Sequence, residues 1–394
     1  MRLWPVFILS ALFHAYAGLR LLPSLGATPA EWGLGCVLMV SALSMPLGLL
    51  GHRLARPPFA KAAMRVMTWV GLLCMGFFSS LMVLTLLRDG VLMALWAARL
   101  AGLDDVALLG KAASHLSAQA VPLLATAATL WGLVNARRTA AVVRVDVPLI
   151  GLPTSLHGFT LAQISDIHVG PTIKRHYLRR IVQRVNTLGA DVVAVTGDLI
   201  DGSVAELAHH VAPLAELQSR HGTFFVTGNH EYYSGADAWV HELRRLGVTV
   251  LMNEHVVINR TVTRSDQLAG GPATLVLAGV TDFNAVHFDP AHRSDPAAAV
   301  AGAPKGLLRV LLAHQPRSAD AALRAGFDLQ LSGHTHGGQF WPWNLFVPLQ
   351  QPFTAGLNRL ESLWVYTSRG TGYWGPPKRF GAPSEITLIR LVAA

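Results

Sequence analysis

Charge is scarce in this 394-residue chain. Asp, Glu, Lys and Arg make up 14% of it, against 52% hydrophobic residues. Soluble domains average about one-quarter charged, so part of the chain is expected in lipid. Cysteine is nearly missing. Cys36 and Cys74 are the only two, and both fall in apolar stretches. That excludes a disulfide framework and a thiolate metal site, and both thiols are expected to be small buried hydrophobes. Acidic residues are also thin at the start. Residues 1–150 hold 12 of the 32 Lys+Arg but only five of the 23 Asp+Glu. The basic excess sits between apolar runs, where it sets membrane topology. The rest of the chain is nearly balanced and has no basic stripe, so no nucleic-acid partner is expected.

What the first part has is long apolar runs. Leu3–Leu22, Gly33–Gly51, Thr68–Leu87 and Ala118–Asn135 each approach the roughly 20 residues that cross a bilayer. Pro46 interrupts the second, which a packed span tolerates. Gly90–Leu103 is apolar but short and carries Arg99, and reads as interfacial; a fifth span there would reverse the topology. Basic residues Arg2, Arg53, Arg56, Lys61, Arg65, Arg137, Arg138 and Arg144 fall on one side of four spans. Arg20, Arg88, Arg99 and Lys111 fall on the other. The first side is expected to be cytoplasmic and to carry the C-terminal domain. Met1–Ala17 also reads as a cleavable signal peptide ending Ala15-Tyr16-Ala17, which would leave that side unchanged. His14 is the only titratable residue well inside a span, which argues against transport. The expected organisation is a transmembrane region of about four helices over residues 1–145 and a second domain over 146–394.

After Pro153 the pattern becomes alternating. Strands are expected at Phe159–Ser165, Asp191–Thr196, Thr223–Thr227, Thr274–Val280, Leu308–Ala313, Leu329–Leu331, Leu363–Thr367 and Glu385–Leu391. Helices are expected at Lys174–Leu188, Val204–Ser219 and Ala236–Leu246. Alternation of this kind argues an α/β layered fold. In such sheets ligands sit beyond the C-terminal ends of strands.

Those ends carry an unusual set of side chains. The first strand is followed by Asp166-Ile167-His168, the second by Gly197-Asp198 with Asp201 close behind, and the third by Gly228-Asn229-His230-Glu231. The strand at Leu308 is followed by His314. The strand at Leu329 is followed by Gly333-His334-Thr335-His336-Gly337-Gly338. Each piece alone is weak. Together, five strand ends deliver Asp, Asn or His, and three place glycine just before the ligand, where the backbone must turn sharply. Carboxylate, amide and imidazole without thiolate suit Mn²⁺, Fe or Zn²⁺. Eight such side chains exceed the needs of one ion and suit two, bridged by a carboxylate. His230, beside Asn229, can serve as a general acid or as a positive charge near a leaving oxygen.

The order D-x-H, G-D, G-N-H-E, H and G-H-x-H resembles the calcineurin-like metallophosphoesterase superfamily over roughly Phe159 to Leu391. The resemblance implies a four-layer α/β/β/α sandwich with two divalent metal ions (Mn, Fe or Zn) between its sheets. It implies that Asp166, His168 and His336 bind the first metal, and that Asn229, His314 and His334 bind the second. Asp198 would bridge both, and His230 would be the catalytic histidine. Asp201 is expected to be a turn or supporting residue, and Glu231 to orient a ligand.

The tail, Thr367-Ser368-Arg369-Gly370-Thr371-Gly372 and then Pro376-Pro377-Lys378-Arg379-Phe380, looks like the subgroup of membrane-linked bacterial phosphodiesterases and transmembrane proteins with a metallophosphoesterase domain. That resemblance implies an integral protein of a bacterial inner membrane. Its substrate would be a phosphodiester or pyrophosphate, lipid-linked in the manner of UDP-2,3-diacylglucosamine. Arg369 is either a phosphate clamp or an ion-pair residue. Gln339–Val347 is too aromatic for a solvated loop. It is expected to pack on the sheet, with a lipid-touching rim as the alternative. A membrane sensor or scaffold that keeps the metal-binding fold without turnover is the competing functional reading.

Overall fold

The computed structural model describes residues 4–26, 28–54, 58–102, 106–260 and 274–394. Arg2, Leu3, Arg56 and Leu103, used above for span limits and orientation, lie outside the described residues, as does the start of the signal-peptide stretch. The chain forms two compact units. One comprises Met1–Arg137 with Gly375–Phe380, and the other Arg138–Trp374 with Gly381–Ala394.

The first unit is helical: α1 (Trp4–Leu25), α2 (Pro29–Leu54), α3 (Pro58–Leu100) and α4 (Val106–Arg137). Each contains a stretch long and apolar enough to cross a membrane. Apolar side chains line both the inside, through Ala17, Leu21, Leu81 and Ala125, and the outside, through Leu19, Met39, Leu87 and Leu123. An outer surface of that kind belongs against hydrocarbon rather than water. Helices α2 and α3 approach closely where a Cβ on Gly71 would lie 2.2 Å from the Ser44 carbonyl oxygen.

Three expectations for this unit are corrected. Gly90 is not a break: α3 runs through it without a turn, so residues 90–100 continue the third helix rather than forming a separate helical segment or a fifth helix. His14 is not alone among titratable groups inside the helices. Arg88 is buried in α3, its guanidinium donating to Ser117 Oγ (3.0 Å) and Ser24 Oγ (3.1 Å). Asp89 beside it accepts from Tyr16 Oη (2.6 Å) and Arg20 Nε (2.8 Å). A charge placed among helices is tolerated when paired and hydrogen-bonded in this way. Both thiols are free, and Cys36 is exposed on α2 rather than buried.

The second unit holds two six-stranded sheets. Its strands are β1 (Ala141–Leu149), β2 (Thr160–Ile164), β3 (Val192–Thr196), β4 (Thr223–Val226), β5 (Thr249–Val250), β6 (Glu254–Asn259), β7 (Thr274–Gly279), β8 (Leu308–Leu312), β9 (Leu329–Ser332), β10 (Gly356–Leu360), β11 (Leu363–Thr367) and β12 (Glu385–Ala393). The first sheet has the order β1-β12-β2-β3-β4-β5, and the second β10-β11-β9-β8-β7-β6. Strands β2 to β5 run parallel, as do β7, β8, β9 and β11. The central strands are continuous apolar runs because both faces are covered. Val192, Ala194, Phe224 and Val226 meet Leu275, Leu277, Val310, Leu312, Leu329 and Leu331 in one core between the sheets. Crossover helices α5 (Arg175–Asn186), α6 (Val204–Val211) and α8 (Ala236–Arg245) bury apolar faces on the outer side of the first sheet. Short helices α9 (Pro296–Ala299) and α10 (Ala319–Arg324) cover the second. The result is an α/β/β/α sandwich. The helix expected over Val204–Ser219 ends at Val211, because Pro213 turns the next residues into a 3-10 segment. A six-residue helix, α7 (Asn229–Ser234), follows β4.

Candidate metal centre

Parallel strands leave the C-terminal ends of β2, β3 and β4 on one sheet and of β8 and β9 on the other, and the loops leaving these ends meet. Three groups of side chains have ligand atoms within 4.8 Å of one another: Asp166, His168 and His336; His168, Asp198 and His230; Asp198, His314 and His334. Asp198 and His168 each belong to two groups, so the three form one continuous cluster. Asp198 Oδ2 lies 3.2 Å from His314 Nε2, and 3.9 Å from both His168 Nε2 and His230 Nε2. His336 Nε2 lies 3.6 Å from Asp166 Oδ1 and 3.1 Å from His168 Nε2. His334 Nδ1 lies 3.2 Å from His314 Nε2.

The backbone is bent hard to achieve this. Asp166, His168, Asp198, His334 and His336 all have φ between 51° and 70°. Side-chain-bearing residues avoid that region at a cost of roughly 1–3 kcal/mol each, and such residues gather at functional sites. Two glycines make the approach feasible. A Cβ on Gly228 would fall 2.2 Å from Asp198 Oδ1, and one on Gly333 would fall 2.2 Å from Asp166 Oδ2.

Hydrogen bonds fix which atom of each ring faces the cluster. His314 Nδ1 donates to the Thr196 carbonyl (2.8 Å), which leaves Nε2 toward Asp198. Asp201 Oδ1 takes both His168 Nδ1 (3.1 Å) and His230 Nδ1 (2.5 Å), turning both Nε2 atoms inward. Glu231 accepts the backbone N–H of Gly228, Asp198 and Leu199. It ties the third loop to the second.

The electrostatics follow from this packing. Burial pushes the Asp166 carboxyl up. It would do the same to Asp198, but His314 and His230 hold that group well below the usual range. Burial would lower His230, yet the Asp198 and Asp201 carboxylates raise it to about 9. His334 is lowered to about 3 by burial and by neighbouring His314. Burial and the charge of Asp198 lift Glu231 to about 8.

Asn229 supplies the sharpest sign of a missing partner. Its Oδ1 is buried and has no hydrogen bond, a state that costs about 1–3 kcal/mol unless something else coordinates it. An oxygen and nitrogen donor set with an orphaned amide oxygen fits a divalent cation.

Arg369 is held by Glu385, with Nε and Nη2 each 2.6 Å from Oε2; Glu385 also accepts from Tyr366 Oη (2.7 Å). The aromatic loop departs from expectation. Phe340 is buried, but Trp341, Trp343, Leu345 and Phe346 are exposed rather than covered. Sequence reasoning passed over three neighbours of the cluster. Tyr233 and Trp374 flank His230, with ring centroids 5.2 and 5.7 Å away. Asp282, just beyond β7, is buried and takes both bonds from Gln315 Nε2 (3.2 and 3.0 Å). None of the three sits in a recognisable motif, although Asp282 obeys the same strand-end rule as the others.

Comparison with known proteins agrees with this geometry. The family profile for calcineurin-like phosphoesterases matches residues 159–338. A Bos taurus protein named transmembrane protein with metallophosphoesterase domain is 42% identical over 278 residues, which is 69% of this chain and 62% of that protein. Its Danio rerio counterpart is 41% identical over 270 residues, 67% of this chain and 60% of that protein. The chain thus spans about three-fifths of the length of these two relatives. An uncharacterised metallophosphoesterase of Aquifex aeolicus is 31% identical over 229 residues, covering 58% of this chain and 82% of that one. Strand ends, strained ligands and relatives lead to one assignment: the chain belongs to the calcineurin-like phosphoesterase family, a family of metal-dependent phosphoester hydrolases.

Proposed function

We propose that the chain is a membrane-anchored, two-metal hydrolase of a phosphodiester or pyrophosphate. The observation that carries this reading is the shared cluster, in which Asp198 joins the groups built on His168 and on His314. Asp166, His168 and His336 would hold one divalent cation, and Asn229, His314 and His334 the other, with Asp198 serving both. Mn, Fe and Zn all suit these donors. Such cations supply positive charge to phosphoryl oxygens and make water nucleophilic at neutral pH.

The remaining steps belong to the protein. His230, held at Nδ1 by Asp201, keeps Nε2 toward the reacting side and carries a proton at neutral pH. It donates that proton to the departing oxygen. The Thr196 carbonyl and Asp201 fix the tautomers of His314 and His168, so that both present Nε2. Four helices long and apolar enough to cross a membrane favour an amphipathic, lipid-linked substrate, of which UDP-2,3-diacylglucosamine is an example. The basic loops favour a cytoplasmic face for the catalytic unit.

The test uses detergent-purified full chain with added Mn²⁺, Fe²⁺ or Zn²⁺. Metal-stimulated hydrolysis of a generic diester such as bis(4-nitrophenyl) phosphate is expected. His230→Ala should lower it about 10²–10⁴-fold, and Asp198→Asn should lower bound metal as well as rate. Activity that survives both substitutions together overturns the proposal. Tight metal binding without turnover of any phosphoester favours the sensor or scaffold reading instead.

A further inference from the structure

His230 turns Nε2 toward the ligand cluster, and aromatic rings flank its imidazole. Tyr233, on the same short helix α7, sets its ring 5.2 Å from the imidazole at an interplanar angle of 73°. Trp374 stands 5.7 Å away at 72°. Phe288 continues the surface, 5.4 Å from Tyr233 at 65°. All three rings are about half exposed: Tyr233 61%, Trp374 50% and Phe288 49%. Exposed apolar groups gathered in this way mark a contact or ligand surface, and each aromatic ring can bury about 150–250 Å².

Gln339 grips Trp374 at both backbone atoms, donating from Nε2 to its carbonyl (2.8 Å) and accepting its N–H at Oε1 (2.9 Å). Gln339 opens a loop that further on exposes Leu345, Phe346 and Leu349. That loop begins directly after the His334–Gly338 ligand turn.

We propose that Tyr233, Trp374 and Phe288 form the leaving-group subsite of the hydrolase described above, and that it takes a leaving alcohol bearing a hydrocarbon chain. The inference rests on that reading, in which His230 hands its proton to the departing oxygen. The atoms next to that oxygen must therefore lie beside these rings. Water breaks the phosphorus–oxygen bond of the leaving alcohol, which departs with the His230 proton, while the rest of the substrate keeps the phosphoryl group. The ring geometry selects a chain over a planar base. A base is held between parallel faces, whereas the angles of 65–73° here offer edges and corners. The loop that Gln339 opens also exposes the aliphatic side chains of Leu345 and Leu349.

The decisive experiment measures hydrolysis of methyl alkyl phosphodiesters with alkyl chains of 2, 6 and 10 carbons. Their alcohols have nearly the same pKa, so chemistry alone gives no preference. The wild type should release the long alcohol and methyl phosphate. Its kcat/KM should rise with chain length, by up to roughly fourfold per buried methylene. Tyr233→Ala and Trp374→Ala should flatten that rise. The ratio of wild type to variant cancels partition of substrate into detergent, and bound-metal content shows that the variants keep the centre. Turnover that is indifferent to chain length, a rise that both variants retain, or release of methanol with the alkyl phosphate left behind overturns this inference alone. Hydrolysis of no diester, including an aryl one, overturns the subsite, and hydrolysis of no diester and no pyrophosphate overturns the phosphoesterase reading with it.

Discussion

Asp201 does more at the site than its place directly after Leu199-Ile200, three residues beyond Asp198, suggests. One carboxylate oxygen accepts from His168 and from His230, so a single group orients a metal-ligand candidate and the proposed proton donor together. Asp201→Asn keeps an oxygen there but removes the charge. Supporting carboxylates of this kind are worth about 10–100-fold in metal affinity or activity, and a loss in that range is expected for kcat. The pH profile gives an independent check. In the proposed mechanism His230 acts in its protonated form, and its pKa is raised by Asp198 and Asp201, so activity is expected to fall as pH rises through that value. Removing the Asp201 charge should move this alkaline limb to lower pH. A kcat loss with an unmoved limb would mean that Asp201 acts on metal affinity alone. At this scale the ligand candidates were legible, because each follows an apolar strand. Tyr233 and Trp374 were not, because side chains that act by shape leave no spacing pattern.

Elements were legible in proportion to their burial. Val192–Thr196 and Leu308–Leu312 are core strands with unbroken apolar sequence, and their limits fall within a residue of expectation. Strand β1 was missed, since Arg144 and Asp146 break its valines and a charged, half-exposed edge strand has no burial signature. Strands β6 and β10 share that exposed character. Helix α3 was cut short for the opposite reason: Arg88-Asp89 resembled the end of a span, although buried partners let the helix continue. At 1.5 Å per residue, its 43 residues extend about 64 Å, roughly twice a bilayer's hydrocarbon thickness. Its crossing with α2 depends on Gly71, where any side chain meets the Ser44 carbonyl oxygen and Gly48 Cα. Small residues of this kind let membrane helices approach. Gly71→Leu should therefore force α2 and α3 apart and lower the thermal midpoint in detergent by several degrees. Wild-type stability in that variant would show that the crossing does not depend on Gly71.

At the scale of the whole molecule, the chain does not divide once and for all after α4. It leaves the catalytic unit at Trp374, contributes Gly375–Phe380 to the helical unit, and returns at Gly381 to form β12. The return segment is embedded. Lys378 Nζ donates to the Gly76 carbonyl (2.7 Å), Ser80 Oγ (2.6 Å) and Thr129 Oγ1 (3.2 Å). Arg379 N donates to the Gly132 carbonyl (2.9 Å), and Asn135 Nδ2 to the Arg379 carbonyl (3.2 Å). The Pro376-Pro377-Lys378-Arg379 run carries no sequence sign of burial, and only its long-range contacts with α3 and α4 reveal it. Gly132 makes room for it, since a Cβ there would lie 2.6 Å from Lys378 Cγ. Gly132→Val should expel the segment, because overpacking costs about 1–3 kcal/mol and no other atom of α4 need move. Trypsin reads the result directly. Lys378 and Arg379 are 1% and 0% exposed in the wild type and should resist cleavage, whereas the variant should be cut there, releasing a short C-terminal fragment that includes β12. Retained metal in the uncut variant would show that the catalytic unit itself had not unfolded. Equal resistance in the two proteins would mean that the segment is held without help from Gly132.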